Sequence, residues 1–185
     1  MSSAARRERL RDIVVHTLAR LRVTLGFVFG AIVLALARPT SRSLAIGLSV
    51  AAAGEAIRIW ASGHLNKARE VTTSGPYRYL AHPLYVGSSV IGAGVALAAA
   101  NLIAAALVFA YLAVTLRAAI RNEEAFLRRT FGDQYDLYRQ QQIVNCDRRF
   151  SAARAIANRE YRAVAGLVAA MLLLALKAAY FRKEV

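Results

Sequence analysis

Between Leu84 and Ile120 the chain runs for 37 residues in a stretch dominated by apolar side chains. As one helix this run would reach about 55 Å, against the roughly 30 Å of hydrocarbon in a bilayer. A single crossing cannot absorb it, so the segment must fold back on itself. Asn101 is the polar residue near its middle, which places a tight hairpin there between two antiparallel helices. Three further apolar segments flank this pair: Thr17 to Ala37, which ends at Arg38-Pro39, Ser43 to Gly63, and Ala163 to Phe181. Each approaches the ~20 residues that a membrane-spanning helix needs. The predicted fold is an all-α polytopic bundle of about five transmembrane helices, one membrane domain over 1–185. A helical hairpin forms its third and fourth spans, and a helical extension continues the fourth span into the cytoplasm.

A hydrophobic content of 57% agrees with this class. The formal charge of +14 would suggest a nucleic-acid partner in a soluble chain. Here the basic residues lie outside the apolar runs, so nucleic acid is not an expected partner and a membrane is. Cys146 is the sole cysteine, which excludes an intrachain disulfide. Arginines at 6, 7, 9 and 11 precede the first apolar run, but no small-residue cleavage site follows it, so that run reads as a retained helix.

Orientation follows from the basic residues of the connections. The segment up to Arg22 holds 6, the loop with Lys67, Arg69 and Arg78 holds 3, and the segment from Arg121 to Arg162 holds 9. The opposite side has Arg38, Arg42, Arg182 and Lys183. The N-terminus is therefore expected inside and the C-terminus outside, in a membrane such as the bacterial cytoplasmic membrane.

The polar stretch SGPYRYLAHPLYVGSS, residues 74–89, interrupts the apolar pattern on that cytoplasmic side. A residue before proline is pushed out of the α region, and proline suits the first helical position, so His82 is the expected N-cap of the third span and Pro83 its first residue. The N–H groups of Leu84 and Tyr85 then sit at the positive end of a helix, a place suited to an anion. Gly75-Pro76 marks a turn, and Tyr77, Tyr79 and Tyr85 add flat surfaces with polar tips.

In RNEEAFLRRTFGDQYDLYRQQ, residues 121–141, Glu123 and Glu124 emerge just beyond the last apolar turn. Neighbours on a helix point about 100° apart, so the two glutamates should make different contacts. Glu123 lies on the face turned to the bundle, whereas Glu124 has Arg121 and Arg128 within a turn. Glu55 and Arg58 fall inside the second span, where ionisable residues are functional candidates by default. His64 and His82 stand 18 residues apart without further ligands at metal-site spacing, so no metal is expected.

The combination GPYxxxxHPxYxG, followed about 40 residues later by EE and FGxxYxxY, resembles the isoprenylcysteine carboxyl methyltransferase and phospholipid N-methyltransferase superfamily over residues 55–142; the span at 163–181 lies outside it. The resemblance implies transfer of a methyl group from S-adenosylmethionine to a lipid or lipidated acceptor. It also implies a cofactor site built from Gly75, Tyr77, His82, Pro83, Leu84, Tyr85, Glu123 and Glu124. Arg78, or Arg58, would position an anionic acceptor, and Glu55 would take a proton from an amine. One departure is Ala81, which stands where the family commonly has arginine. Two alternatives remain open to the sequence: a membrane reductase of the sterol-reductase type using NADPH, and a non-catalytic protein with a decayed site.

Overall fold

The computed structural model describes residues 26–143 and 146–183. Seven α-helices account for most of them, and there is no strand among the described residues. The first, α1, is Gly26–Leu36; the earlier part of the expected Thr17–Ala37 span lies outside the described residues. The others are α2 (Ser41–His64), α3 (Pro83–Ala99), α4 (Leu102–Phe131), α5 (Asp133–Arg139), α6 (Ala152–Ala157) and α7 (Tyr161–Lys183), with a 3₁₀ turn at Gly75–Arg78. By length and composition α2, α4 and residues 161–181 of α7 can each cross a membrane, and α1 and α3 are shorter apolar helices. At 17 residues α3 is about 25 Å long, near the lower limit for a crossing.

The hairpin falls where the lone polar residue put it. Ala100 closes α3 in the left-handed region, and Asn101 caps α4 by accepting the Ala104 N–H at 2.9 Å. At 30 residues α4 is about 45 Å long, so its last turns project past the hydrocarbon as the expected extension. Gly132, at φ +53°, turns the chain into α5.

Helices α2 and α3 form the most intimate pair in the bundle. A Cβ added at Gly47 would lie 2.5 Å from the Gly94 carbonyl oxygen, and one at Gly94 would lie 2.5 Å from the Ala51 nitrogen. The two backbones touch, as small residues permit where lipid gives helices no hydrophobic reason to associate. Ala37, Ala51, Ala98, Ala99 and Ala104 are buried at this end of the bundle beside Leu174 of α7. The ammonium of Lys177 donates to the Leu34 and Ala35 carbonyls at 2.6 and 2.8 Å, satisfying the end of α1.

The opposite end carries the polar machinery. There the loop after α2, the start of α3, the end of α4 and the start of α7 converge. Residues 146–151 strap back onto it: the Cys146 N–H donates to Thr73, Ser151 N–H to the Gly63 carbonyl, and Phe150 lies against Gly63.

Candidate functional site

A cavity of about 480 Å³ lies under the loop between α2 and α3. Its wall comes from Lys67, Glu70 and Thr72 of the loop, Tyr77 of the 3₁₀ turn, Ala81, the first turn of α3 at Leu84 and Tyr85, Asn122, Glu123 and Phe126 of α4, and Tyr135 and Tyr138 of α5. Lys67 is the one basic side chain lining it among the described residues.

His82 is the N-cap of α3, as the His-Pro pair dictates, but its side chain makes no capping bond. Instead its ring stands between two carboxylates: Nδ1 is 3.8 Å from Glu123 and Nε2 is 3.2 Å from Glu124. The two glutamates make different contacts, as expected, but at two nitrogens of one ring rather than with separate groups. Imidazole carries its nitrogens on opposite edges, so side chains about 100° apart on α4 can approach one ring from two directions. Glu124 also lies 3.7 Å from Arg139, in place of the expected pairing with Arg121 and Arg128. With two carboxylates against it, His82 is not a free receptor for an anion. The Tyr85 N–H donates to the His82 carbonyl at 3.1 Å, which takes it too out of an open anion site.

The other expected site residues separate into two groups. Tyr77, Leu84, Tyr85 and Glu123 line the cavity. Gly75 and Pro83 do not: Pro83 is buried as the first residue of α3, and Gly75, at φ +58°, lies against the His64 ring, where a Cβ would come within 2.5 Å. A side chain at Gly75 is thus excluded by backbone conformation and by contact.

None of Arg78, Arg58 and Glu55 lines the cavity. Arg78 pairs with Asp147 at 2.6 Å and donates to the Cys146 carbonyl. Arg58 pairs at 2.7 Å with Glu160, the residue before α7, and donates to Ser88. Glu55 is 6% exposed and lies 4.0 Å from Arg58, its oxygens without hydrogen bonds among the described residues. Arg58 and Glu160 therefore fasten α2 and α3 to α7.

Sequence reasoning passed over Lys67, Glu70, Thr72, Asn122, Tyr135 and Tyr138. The FGxxYxxY spacing held a usable signal, since tyrosines three apart share a helix face. Tyr138 donates to the carbonyls of Tyr77 (2.8 Å) and Leu80 (3.3 Å), binding α5 to the 3₁₀ turn. Burial pushes the Tyr135 and Tyr138 phenols up to about 12, helped by Glu124 in the first case and by the neighbouring Tyr135 in the second. Burial, then Glu123, raises Tyr77 as well. A hydrogen bond from Arg148 holds Glu70 below the usual carboxylate range.

A second, apolar groove of about 400 Å³ runs between α3 and α4, lined by Val86, Phe109, Leu112 and Leu116 among others. It shares Tyr85 with the polar cavity, so the two meet at the first turn of α3, and His82 lines the groove side of that junction.

These features define a class: an integral membrane protein of bundled helices with an acid- and tyrosine-lined cavity at one end. Within that class, the family model for phospholipid methyltransferases matches residues 25–134, more than half of the chain, and the chain belongs to that family of membrane methyltransferases. Neither the curated proteins nor the solved structures returned a match. The matched region holds every cavity residue named above except Tyr135 and Tyr138, which follow directly after it.

Proposed function

We propose that this protein transfers a methyl group from S-adenosylmethionine to a lipophilic acceptor held in the bilayer. One observation carries the reading: a polar cavity and an apolar groove share Tyr85 at the first turn of α3, with His82 on the groove side of it. A lipid-borne acceptor lying in the groove would have its polar head at that shared wall.

The donor set suits the cofactor. The cavity volume falls within the roughly 300–1,000 Å³ of small-molecule sites. Glu123 and Glu70 offer carboxylates to an ammonium, Lys67 offers a cation to a carboxylate, and the rings of Tyr77, Tyr85 and Phe126 offer faces to adenine or to a positively charged sulfur. When bound, S-adenosylmethionine supplies an electrophilic methyl on a sulfonium. Displacement at such a carbon needs alignment and a water-poor site more than an activated residue of the protein. Leu84, Tyr85 and Val86 in the first turn of α3 would limit water there. His82, held between Glu123 and Glu124, lines the groove at the junction and would accept the proton that an amine releases, whereas Glu55 lines neither the cavity nor the groove.

A cytoplasmic cavity is the orientation that the positive-inside rule supports, since Lys67, Arg69, Arg78 and the basic residues of 121–162 belong to the connections expected on that side. The test is calorimetric titration of the purified protein in lipid nanodiscs with S-adenosylhomocysteine, followed by transfer of labelled methyl to extracted membrane lipids and lipidated proteins. Saturable binding and a labelled lipophilic product are expected. A folded protein that binds neither the cofactor nor its product overturns the reading.

A further inference from the structure

Tyr135 and Tyr138 sit three residues apart on α5, and their hydroxyls meet different fates. Tyr138 spends its proton on the carbonyls of Tyr77 and Leu80. Tyr135 is 1% exposed, its ring 5.8 Å below the Arg128 guanidinium and 6.2 Å from the Tyr138 ring. Its hydroxyl is buried without a hydrogen-bond partner among the described residues. Buried hydroxyls in folded proteins nearly always find a partner, from protein, water or ligand.

The residue lines the polar cavity, so the missing partner has somewhere to come from. The charged groups facing it are Glu124 and Glu123 of α4, Arg128 on the same helix, and Arg139 of α5. With its ionisation pushed up to about 12, the phenol keeps its proton at neutral pH and serves as a donor. Glu123 lines the same cavity as an acceptor. A ligand group placed between a phenol donor and a carboxylate acceptor must both accept and donate. A hydroxyl does this, whereas a ligand carboxylate would meet the charge of Glu123.

We propose that Tyr135 is a ligand-binding residue of the cavity, donating its phenolic hydrogen bond to a hydroxyl oxygen of the bound molecule. Resting on the function proposed above, that hydroxyl belongs to the ribose of the cofactor.

The experiment compares wild type and Tyr135→Phe in nanodiscs by calorimetry with two probes: S-adenosylhomocysteine, and 5′-methylthioadenosine, which keeps the ribose and lacks the amino-acid end. Both probes should bind the variant about tenfold more weakly, the effect of one lost hydrogen bond. The ligand-free melting temperature should stay level or rise, because the substitution deletes a hydroxyl without a hydrogen-bond partner among the described residues. Tyr138→Phe should show the reverse: a lower ligand-free melting temperature, since its hydroxyl is bonded to two carbonyls. Equal affinities for wild type and Tyr135→Phe overturn the inference alone, as does a lower melting temperature with affinity retained. A loss confined to S-adenosylhomocysteine overturns the assignment to ribose. Failure of wild type to bind either probe overturns the underlying function, and the inference with it.

Discussion

The contact between α2 and α3 is close enough to predict the effect of a single methyl group. In Gly94→Ala the new Cβ would start 2.5 Å from the Ala51 nitrogen and 2.6 Å from the Gly47 carbonyl oxygen. Ordinary contact begins at 3.4 Å, so the helices must part by 0.9 Å or more, the difference between 3.4 and 2.5. The obstructing atoms belong to backbone and cannot rotate away. Overpacking typically costs about 1–3 kcal/mol, and a rigid neighbour puts this site at the upper end, about 3 kcal/mol. For a chain of this size that corresponds to a fall of about 6–12 °C in melting temperature. Gly166→Ala is the control: it lies in α7 with nothing within 4 Å of the added carbon. It keeps the helix-propensity gain of about 0.5–1 kcal/mol without the clash. Thermal unfolding of both variants, followed by tryptophan fluorescence in one detergent, separates the two effects. If Gly94→Ala melts with wild type or above it, the close α2–α3 contact is not what holds this bundle together.

Three further outcomes follow from the charges. Glu160→Gln should destabilise by about 3 kcal/mol, because it removes the close carboxylate partner of Arg58, whereas Glu55→Gln should be neutral or stabilising, since Glu55 is 4.0 Å from Arg58 and makes no hydrogen bonds among the described residues; denaturant or thermal unfolding compares them. Glu123→Gln should weaken S-adenosylhomocysteine at least tenfold by calorimetry, through loss of a charged cavity acceptor. Glu70, its ionisation held below the usual 4.5 by Arg148, contributes stability that is present above that pH and fades as the pH falls through its folded-state value; Glu70→Gln should lower stability near neutral pH and flatten the acid limb, so that the two profiles converge at low pH.

The parts of the fold that were legible in the sequence are local ones. A run too long for one crossing, with a single polar residue near its middle, located the hairpin at Asn101, and the His-Pro pair located the start of α3. Cavity positions on α3 and α4 were legible through motif spacing. What stayed hidden depends on partners far along the chain. Arg58 and Arg78 looked available for an anionic acceptor because Glu160 and Asp147, which occupy them, lie 102 and 69 residues away. No local pattern reports such a pairing. The shared approach of Glu123 and Glu124 to His82 was missed for a different reason: helical periodicity fixes the angle between two side chains, but not the shape of the group they reach.

The 102 residues between Arg58 and Glu160 also set an order of events during synthesis. Elongation at about 5–20 residues per second puts Glu160 on the ribosome about 5–20 s after Arg58. In that interval α2 must reside in or beside the translocon with Glu55, 4.0 Å away on the same helix, as the one acidic neighbour of the guanidinium among the described residues, and intramembrane charges without full pairing are costly to insert. Biogenesis thus leaves α2 provisional until the last helix arrives. A nascent chain stalled before residue 160 should be extractable under conditions that the finished protein resists.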